Sequence, residues 1–348
     1  MKLNFYPGPS KLDPKINSYL AEAIDLNIPE YNHRSDVFRS LYQETETIVK
    51  EKLAVPENYQ LFFISSATEA WEIIAQSFTH KGSFHQFNGS FGEKWRNYAH
   101  KLNTTESKEF LLNGLPEKEI LETLIDVICI TQNETSNGSQ VPKKYFNELS
   151  KSPNALTCVD ATSSLGGVKL PIDKIDVCFA SVQKCLGLPS GLGLFICSPK
   201  AIEKGLDIDE DLFYNSFTKL HRNRKNWETP YTPNILSIYL LNKILSQRDH
   251  IDQINHQTRE KALRLYYYLD QHDRLSPMLS EPTIRSKTVI CVTGNEKVLL
   301  EVNEKASKKA ILLGKGYGKW KDSTFRIANF PSITDEEISE LIQLFDTL

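Results

Sequence analysis

This chain of 348 residues predicts an α/β fold: a mostly parallel central sheet with helices on both faces, followed by a smaller C-terminal α+β domain. Two observations carry that expectation. Between Tyr59 and Ser198, short apolar runs alternate with segments of helical spacing, which is the pattern of βαβ units. After Trp227 the texture changes. The Pro-rich stretch Glu228–Asn234 breaks the alternation, and long amphipathic helices with isolated strands follow.

Taken in order, the strands expected in the first part are Gln60–Ile64, Phe84–Phe87, Val127–Thr131, Leu156–Val159, Val177–Ser181 and Leu194–Cys197, all short and rich in β-branched or aromatic residues. Helical spacing lies between them at Thr68–Phe78, Glu93–Leu102 and Lys143–Leu149. In the second part, helices are expected at Ile235–Leu245 and Ile251–Gln271, and strands at Thr288–Val292, Ala310–Leu313 and Phe325–Ala328. A last helix starts after Thr334, whose hydroxyl and Glu337 three residues on form a capping box. The expected division is a large domain over 13–232 and a small one over 233–348 that also takes in residues 1–12.

The net charge is −3, so no bulk basic surface recruits nucleic acid or an acidic membrane. There is no run of the ~18 apolar residues a membrane span needs, and Met1–Ser10 has no apolar stretch of signal-peptide length. A cytoplasmic location is expected. The six cysteines form no C-x-x-C pair and most sit in apolar runs, as small buried hydrophobes in a reducing compartment do. The N-x-[ST] matches at Asn88, Asn103, Asn133 and Asn137 are then chance. No metal site is expected.

In a parallel sheet, ligands bind beyond the carboxyl ends of the strands. Polar loops follow those ends here. Ser65-Ser66-Ala67-Thr68-Glu69-Ala70 closes one strand and opens a helix, whose free N–H groups and dipole suit an anion. Asn88-Gly89-Ser90-Phe91-Gly92 sets an aromatic between glycines, and Asn133-Glu134-Thr135 is a polar turn. Asp160 ends a strand, and Lys184 follows the next one ahead of a Gly-rich turn, Gly187 to Gly193. Each loop also has a plainer reading: helix capping, aromatic packing, a polar turn, an ordinary ion pair.

As an ordered set, these loops resemble the class V aminotransferases among the pyridoxal-phosphate enzymes of fold type I. The resemblance runs from Pro7-Gly8-Pro9 to Arg326 and is sharpest at Ser66–Ala70, Asn88–Gly92, Glu134-Thr135, Val159-Asp160-Ala161, Ser163–Gly167, Gln183-Lys184 and Thr229–Pro233. It implies the following roles. Lys184 carries pyridoxal 5'-phosphate as an imine and shuttles the substrate proton, and Asp160 pairs with the ring nitrogen. Phe91 stacks on the ring, and Thr135 and Gln183 lie on its hydroxyl side. Ser66, Ala67 and Thr68 hold the phosphate. Thr229 reaches the cofactor phosphate of a second subunit, which makes a homodimer with shared sites. The substrates are amino acids and 2-oxo acids, exchanged in two half-transaminations.

Within this family the chain is most similar to the phosphoserine aminotransferases. Tyr6-Pro7-Gly8-Pro9-Ser10 matches their glycine–proline opening, and His33-Arg34-Ser35 their substrate-anion loop. Arg326 matches the arginine that grips the α-carboxylate, a task suited to a fork of N–H donors. One departure stands out. Those enzymes carry a His-Arg pair shortly before that arginine, whereas Gly316–Asp322 has none and is closer to the serine–pyruvate and alanine–glyoxylate enzymes, as is Thr229–Pro233. Cysteine desulfurases share the fold but stack a histidine where Phe91 stands. A non-catalytic cofactor-binding module would have no need of Lys184 with Asp160.

Overall fold

The computed structural model describes residues 3–102, 105–116, 125–149 and 154–348. The chain begins with strand β1 (Leu3–Phe5) and helices α1 (Ile16–Asp25) and α2 (Asp36–Leu53). The large-sheet strands follow: β2 (Gln60–Ile64), β3 (Ser83–Phe87), β4 (Thr105–Glu109), β5 (Val127–Thr131), the short pair β6 (Asn133–Glu134) and β7 (Ser139–Gln140), then β8 (Leu156–Asp160), β9 (Val177–Ser181) and β10 (Gly193–Cys197). Between and after them run α3 (Ala67–Ser77), α4 (Ser90–Ala99), α5 (Lys143–Leu149), α6 (Pro199–Ile208), α7 (Phe217–Arg224), α8 (Ile235–Gln247) and α9 (Ile251–Asp270). The chain ends with β11 (Ser276–Pro277), β12 (Val289–Thr293), α10 (Glu296–Lys308), β13 (Ile311–Lys315), β14 (Thr324–Ala328) and α11 (Asp335–Phe345).

The large sheet has the order β2-β10-β9-β8-β5-β3-β4, with β10 alone antiparallel to its neighbours. Its strands are apolar throughout because both faces are covered. Leu61, Phe63, Ile128, Ile130, Cys178 and Ala180 face one core, which includes side chains of α1, α2, α5 and α8. Their neighbours Phe62, Ile64, Val127, Cys129, Val177 and Phe179 face a second core built with α3, α4, α6 and α7. The period of two along each strand sorts alternate residues between these cores.

A smaller sheet, β1-β13-β14-β12-β11, packs on α9, α10 and α11 around its own core. The N-terminal strand joins it by parallel pairing of Leu3–Phe5 with Ile311–Leu313. The capping box of Thr334 and Glu337 starts α11. The boundary expected near Pro233 falls one helix before the change of packing partner: Ile235, Ile238, Leu241 and Leu245 of α8 lie in the large-sheet core against α2.

Element ends shift where side chains cap. Helix α4 starts at Ser90 rather than Glu93, because the chain already turns helical after Gly89. Strand β8 runs one residue further than expected and takes in Asp160. All six cysteines are free and buried. Asn88, Asn133 and Asn137 are buried too, while Asn103 lies outside the described residues. Among the described residues no helix is long and apolar enough to cross a membrane, and no cluster of His, Cys, Asp and Glu could hold a metal.

Candidate active site

The parallel strands of the large sheet end together, and a cavity of about 420 Å³ opens there against the small sheet. Ala67, Thr68, Phe91, Thr135, Asp160, Gln183, Lys184 and Arg326, all singled out from the sequence, line it. Ser66 stands just outside. Its hydroxyl caps α3 by accepting the Glu69 amide proton at 3.1 Å, so capping is the role this geometry gives it.

Lys184 sits in a tight turn after β9, where the Gly187 amide donates to the Lys184 carbonyl at 2.9 Å. Gly187 has φ +74°, which a side chain would strain. From the other side, the Ser10 hydroxyl donates to the Gln183 carbonyl at 3.0 Å and the Lys184 carbonyl at 3.2 Å. The N-terminal segment therefore clamps the lysine backbone. The Lys184 Nζ donates to Ser163 Oγ at 2.8 Å and to Thr135 Oγ1 at 3.2 Å, and those two hydroxyls bond each other. Burial lowers the Lys184 amine from the usual lysine range to about 8, against the opposing pull of the Asp160 carboxylate.

Asp160 is buried at the end of β8, paired in register with Thr131 of β5 and Phe179 of β9. Its carboxylate accepts the Thr162 amide at 2.9 Å and the Trp71 indole N–H at 3.2 Å. Burial raises its pKa, while those donors and the Lys184 charge pull it back. Trp71 was not expected in the site. It lies one turn beyond Ala67 on α3, and helical spacing places 67, 68 and 71 on one face.

The Phe91 loop is tied by Glu134. This buried carboxylate accepts from the Phe91 and Gly92 amides at 3.1 Å each, and from Ser136 N at 2.9 Å and Ser136 Oγ at 2.6 Å. A Cβ on Gly89 would come within 2.4 Å of Glu134 Cγ, so the loop can approach this closely only with glycine there. Phe91 faces the cavity with Lys184 Nζ 5.4 Å from its ring centre.

Arg326 enters from the small sheet. It is buried on β14, its Nε donates to the Lys315 carbonyl at 2.8 Å, and its Nη1 donates to the Thr135 carbonyl at 3.1 Å. Tyr317 and Lys94 also line the cavity, and neither was expected. The Tyr317 ring stacks on Phe91, with centroids 5.0 Å apart and planes 15° apart.

His33, Arg34 and Thr229 do not line this cavity. They gather at a separate patch, where Thr232 Oγ1 lies 3.3 Å from His33 Nδ1 and Glu228 pairs with Arg39 of α2 at 2.6 Å. Arg34 is exposed, and the buried Thr229 hydroxyl donates to the Tyr231 carbonyl at 2.6 Å. The cavity itself holds unanswered polar groups: Gln183 Oε1, Thr131 Oγ1 and Asn133 Nδ2 are buried there without a hydrogen-bond partner. Such groups are costly unless a ligand meets them.

Comparison with known proteins agrees with this geometry. The family profile of class-V aminotransferases matches residues 5–317. A phosphoserine aminotransferase from Rhodococcus opacus is 26% identical over 97% of this chain and 93% of its own length. The crystal structure of a phosphoserine aminotransferase from Cytophaga hutchinsonii superposes with a TM-score of 0.93 at 33% identity, covering 99% of this chain and 98% of that one. An alanine–glyoxylate aminotransferase from Nostoc superposes at 0.84 with 20% identity over 100% of this chain and 95% of that one, a likeness of fold alone. This chain is a member of the class-V aminotransferase family and has the fold type I architecture of its pyridoxal-phosphate enzymes.

Proposed function

We propose that this chain is a pyridoxal-phosphate aminotransferase that moves the amino group of phosphoserine to 2-oxoglutarate, in serine biosynthesis. One observation carries the substrate assignment. Besides Lys184, the cavity has two cations, Arg326 and Lys94, and neither meets a carboxylate among the described residues. A donor with two anionic groups answers both.

The residues present fit the cofactor. The N-terminus of α3, with Ala67 and Thr68 on the cavity wall, suits a phosphate. Asp160 suits a protonated ring nitrogen, Phe91 a ring face, and the orphaned Gln183 and Asn133 groups suit polar ring substituents. When bound, the pyridinium ring supplies an electron sink for negative charge at the donor α-carbon. The chain supplies the rest. Arg326 orients the α-carboxylate through the part of its fork that Lys315 and Thr135 leave free. Lys184 Nζ, when free and neutral, accepts the α-proton, and Ser163 and Thr135 hold it in place. The Phe91–Tyr317 stack keeps water from the reacting side.

The serine–pyruvate or alanine–glyoxylate reading has an observation of its own: the Gly316–Asp322 segment brings Tyr317 to the cavity and no His-Arg pair. A half-transamination screen decides between them. Phosphoserine should bleach the visible band of the holoenzyme at far lower concentration than serine or alanine, and glutamate should do so as the partner donor. Preference for the unphosphorylated amino acids would hand the chain to the second reading.

The same proposal includes a cytoplasmic homodimer with shared sites. Six reduced, buried cysteines suit a reducing compartment. The patch of His33, Arg34 and Thr229 has no ligand to hold in its own chain, and exposed Leu212 and Tyr214 adjoin it, with Tyr214 5.9 Å from Tyr231. A second copy would cover that apolar surface and receive those residues at its cavity. Arg34→Ala should then lower phosphoserine kcat/KM by about ten- to a hundredfold, the cost of one charge-assisted hydrogen bond. Mixing Arg34→Ala subunits with inactive Lys184→Ala subunits should restore activity, because each heterodimer rebuilds one intact site. A fully active monomer by sedimentation would contradict this arrangement.

A further inference from the structure

We infer that Tyr317 is the positioning residue that holds Lys94 at the spacing from Arg326 that a doubly anionic donor requires. The inference rests on the reading of function above and names the device behind its selectivity.

The loop that carries Tyr317 is built to bring it there. A Cβ on Gly316 would come within 2.3 Å of the Trp320 carbonyl oxygen and 2.5 Å of that of Lys321, so the chain can fold back at this point only with glycine. Gly318 has φ +57°, and a Cβ there would come within 2.1 Å of Ser90 Oγ. The loop is therefore pressed against the start of α4, the helix that carries Phe91 and Lys94. Lys319 adds an ion pair to Glu109 of β4 at 3.1 Å. Flanked by these two glycines, Tyr317 projects onto the cavity wall.

Its contacts are with the cations. Lys94 Nζ stands 4.9 Å from the Tyr317 ring centre and 5.6 Å from that of Phe91, and it donates to the Tyr317 hydroxyl. The Arg326 guanidinium carbon stands 5.3 Å from the same Tyr317 ring. Two like charges thus share one aromatic ring, whose negative π cloud offsets their repulsion in a partly dry cavity. Arg326 is already held by two backbone carbonyls. Lys94 is an exposed lysine on a flexible stem, and every contact that places its ammonium at the cavity is to Tyr317 or Phe91. Without the Tyr317 hydroxyl, a distal phosphate or carboxylate would have to order that side chain itself. Tyr317 thus acts through Lys94, in the segment where the phosphoserine enzymes carry their His-Arg pair.

The test is steady-state kinetics with phosphoserine, glutamate and alanine on wild type, Tyr317→Phe, Lys94→Met and the double variant, with calorimetric titration of inorganic phosphate into each holoenzyme. Tyr317→Phe keeps the ring stack and deletes the hydroxyl. It should lower the ratio of kcat/KM for phosphoserine over alanine by about tenfold, through KM rather than kcat, as expected for one lost charge-assisted bond. Lys94→Met should lower it at least as far, and the double variant no further than Lys94→Met. Phosphate affinity should follow the same order. Glutamate separates the anion types: a parallel loss means the grip serves any distal anion, and a loss confined to phosphoserine means it serves phosphate; either supports the role. Equal losses for alanine and phosphoserine would make Tyr317 merely structural, and additive losses would separate it from Lys94; both overturn the inference. If wild type prefers neither dianionic donor to alanine, the reading of function fails first and the role of Tyr317 with it.

Discussion

Replacing Lys184 by alanine should abolish turnover, and the loss should be chemical rather than structural. In the wild type, borohydride should fix the cofactor covalently to the protein, and peptide mapping should place it on Lys184. In Lys184→Ala no such peptide should form, although the cofactor would still bind through the Ala67–Thr68 helix end and Asp160. The apo protein gives an independent readout. The Lys184 amine is lowered to about 8, below the unfolded lysine value of about 10.4. Between these values the unfolded chain binds more protons than the folded one, so stability rises with pH across that window. Below it the penalty of a buried ammonium is fully present. Lys184→Ala removes that penalty, so its melting temperature should lack the alkaline rise seen for wild type. A Lys184→Ala protein with substantial turnover, or a borohydride adduct on another lysine, would falsify the assignment.

Much of this cavity is legible in the sequence, for a physical reason. The strands are short, uniformly apolar and covered on both faces, so their ends are sharp, and the residue after each end is committed to the ligand side of the sheet. Asp160, Thr135, Phe91 and Lys184 are each found by that rule alone. Residues whose placement depends on a helix face or on the other sheet are harder to find. Trp71 and Lys94 each lie one turn into a helix, past Ala67 and Phe91, and the facing direction of α3 and α4 has to be known before they count. Tyr317 reaches the site only because the small sheet packs over the large one.

The same logic explains the missed elements. Strand β4 reads TESKE, with none of the apolar alternation that marks a strand, because it is the outer edge of the sheet beyond β3. The boundary near Pro233 was set by a proline-rich break, a local signal. Which core α8 joins is decided by its packing on α2, nearly two hundred residues upstream, and no local signal reports that. For His33, Arg34 and Thr229 the reason is different again. They share a patch that their own cavity does not use, and a single chain cannot reveal a role played in a neighbouring one.

Asp160→Asn should be the second most damaging change, and it separates charge from shape. The side chain is buried and nearly isosteric, so the fold should survive. The carboxylate now accepts from both Thr162 N–H and Trp71 Nε1–H, one on each oxygen. An amide has one acceptor oxygen, so one of those donors would face an NH2 group, at a cost of about 1–3 kcal/mol. A modest fall in melting temperature is therefore expected. The catalytic loss should be larger. Removing one partner of a buried charge pair costs about 3–5 kcal/mol, which is about two to four orders of magnitude in rate. The Asp160 charge also raises the Lys184 pKa, so the apo variant should show it below the wild-type value of about 8. Labelling of Lys184 by an amine-reactive reagent should then begin at lower pH than in wild type. Asp160→Ala would add a cavity, and Asp160→Glu would overfill a tight site while keeping the charge. The glutamate variant should therefore bind the cofactor less well but turn over faster per bound cofactor than the asparagine variant. Turnover of Asp160→Asn within tenfold of wild type, with an unshifted labelling profile, would show that the carboxylate contributes packing rather than charge.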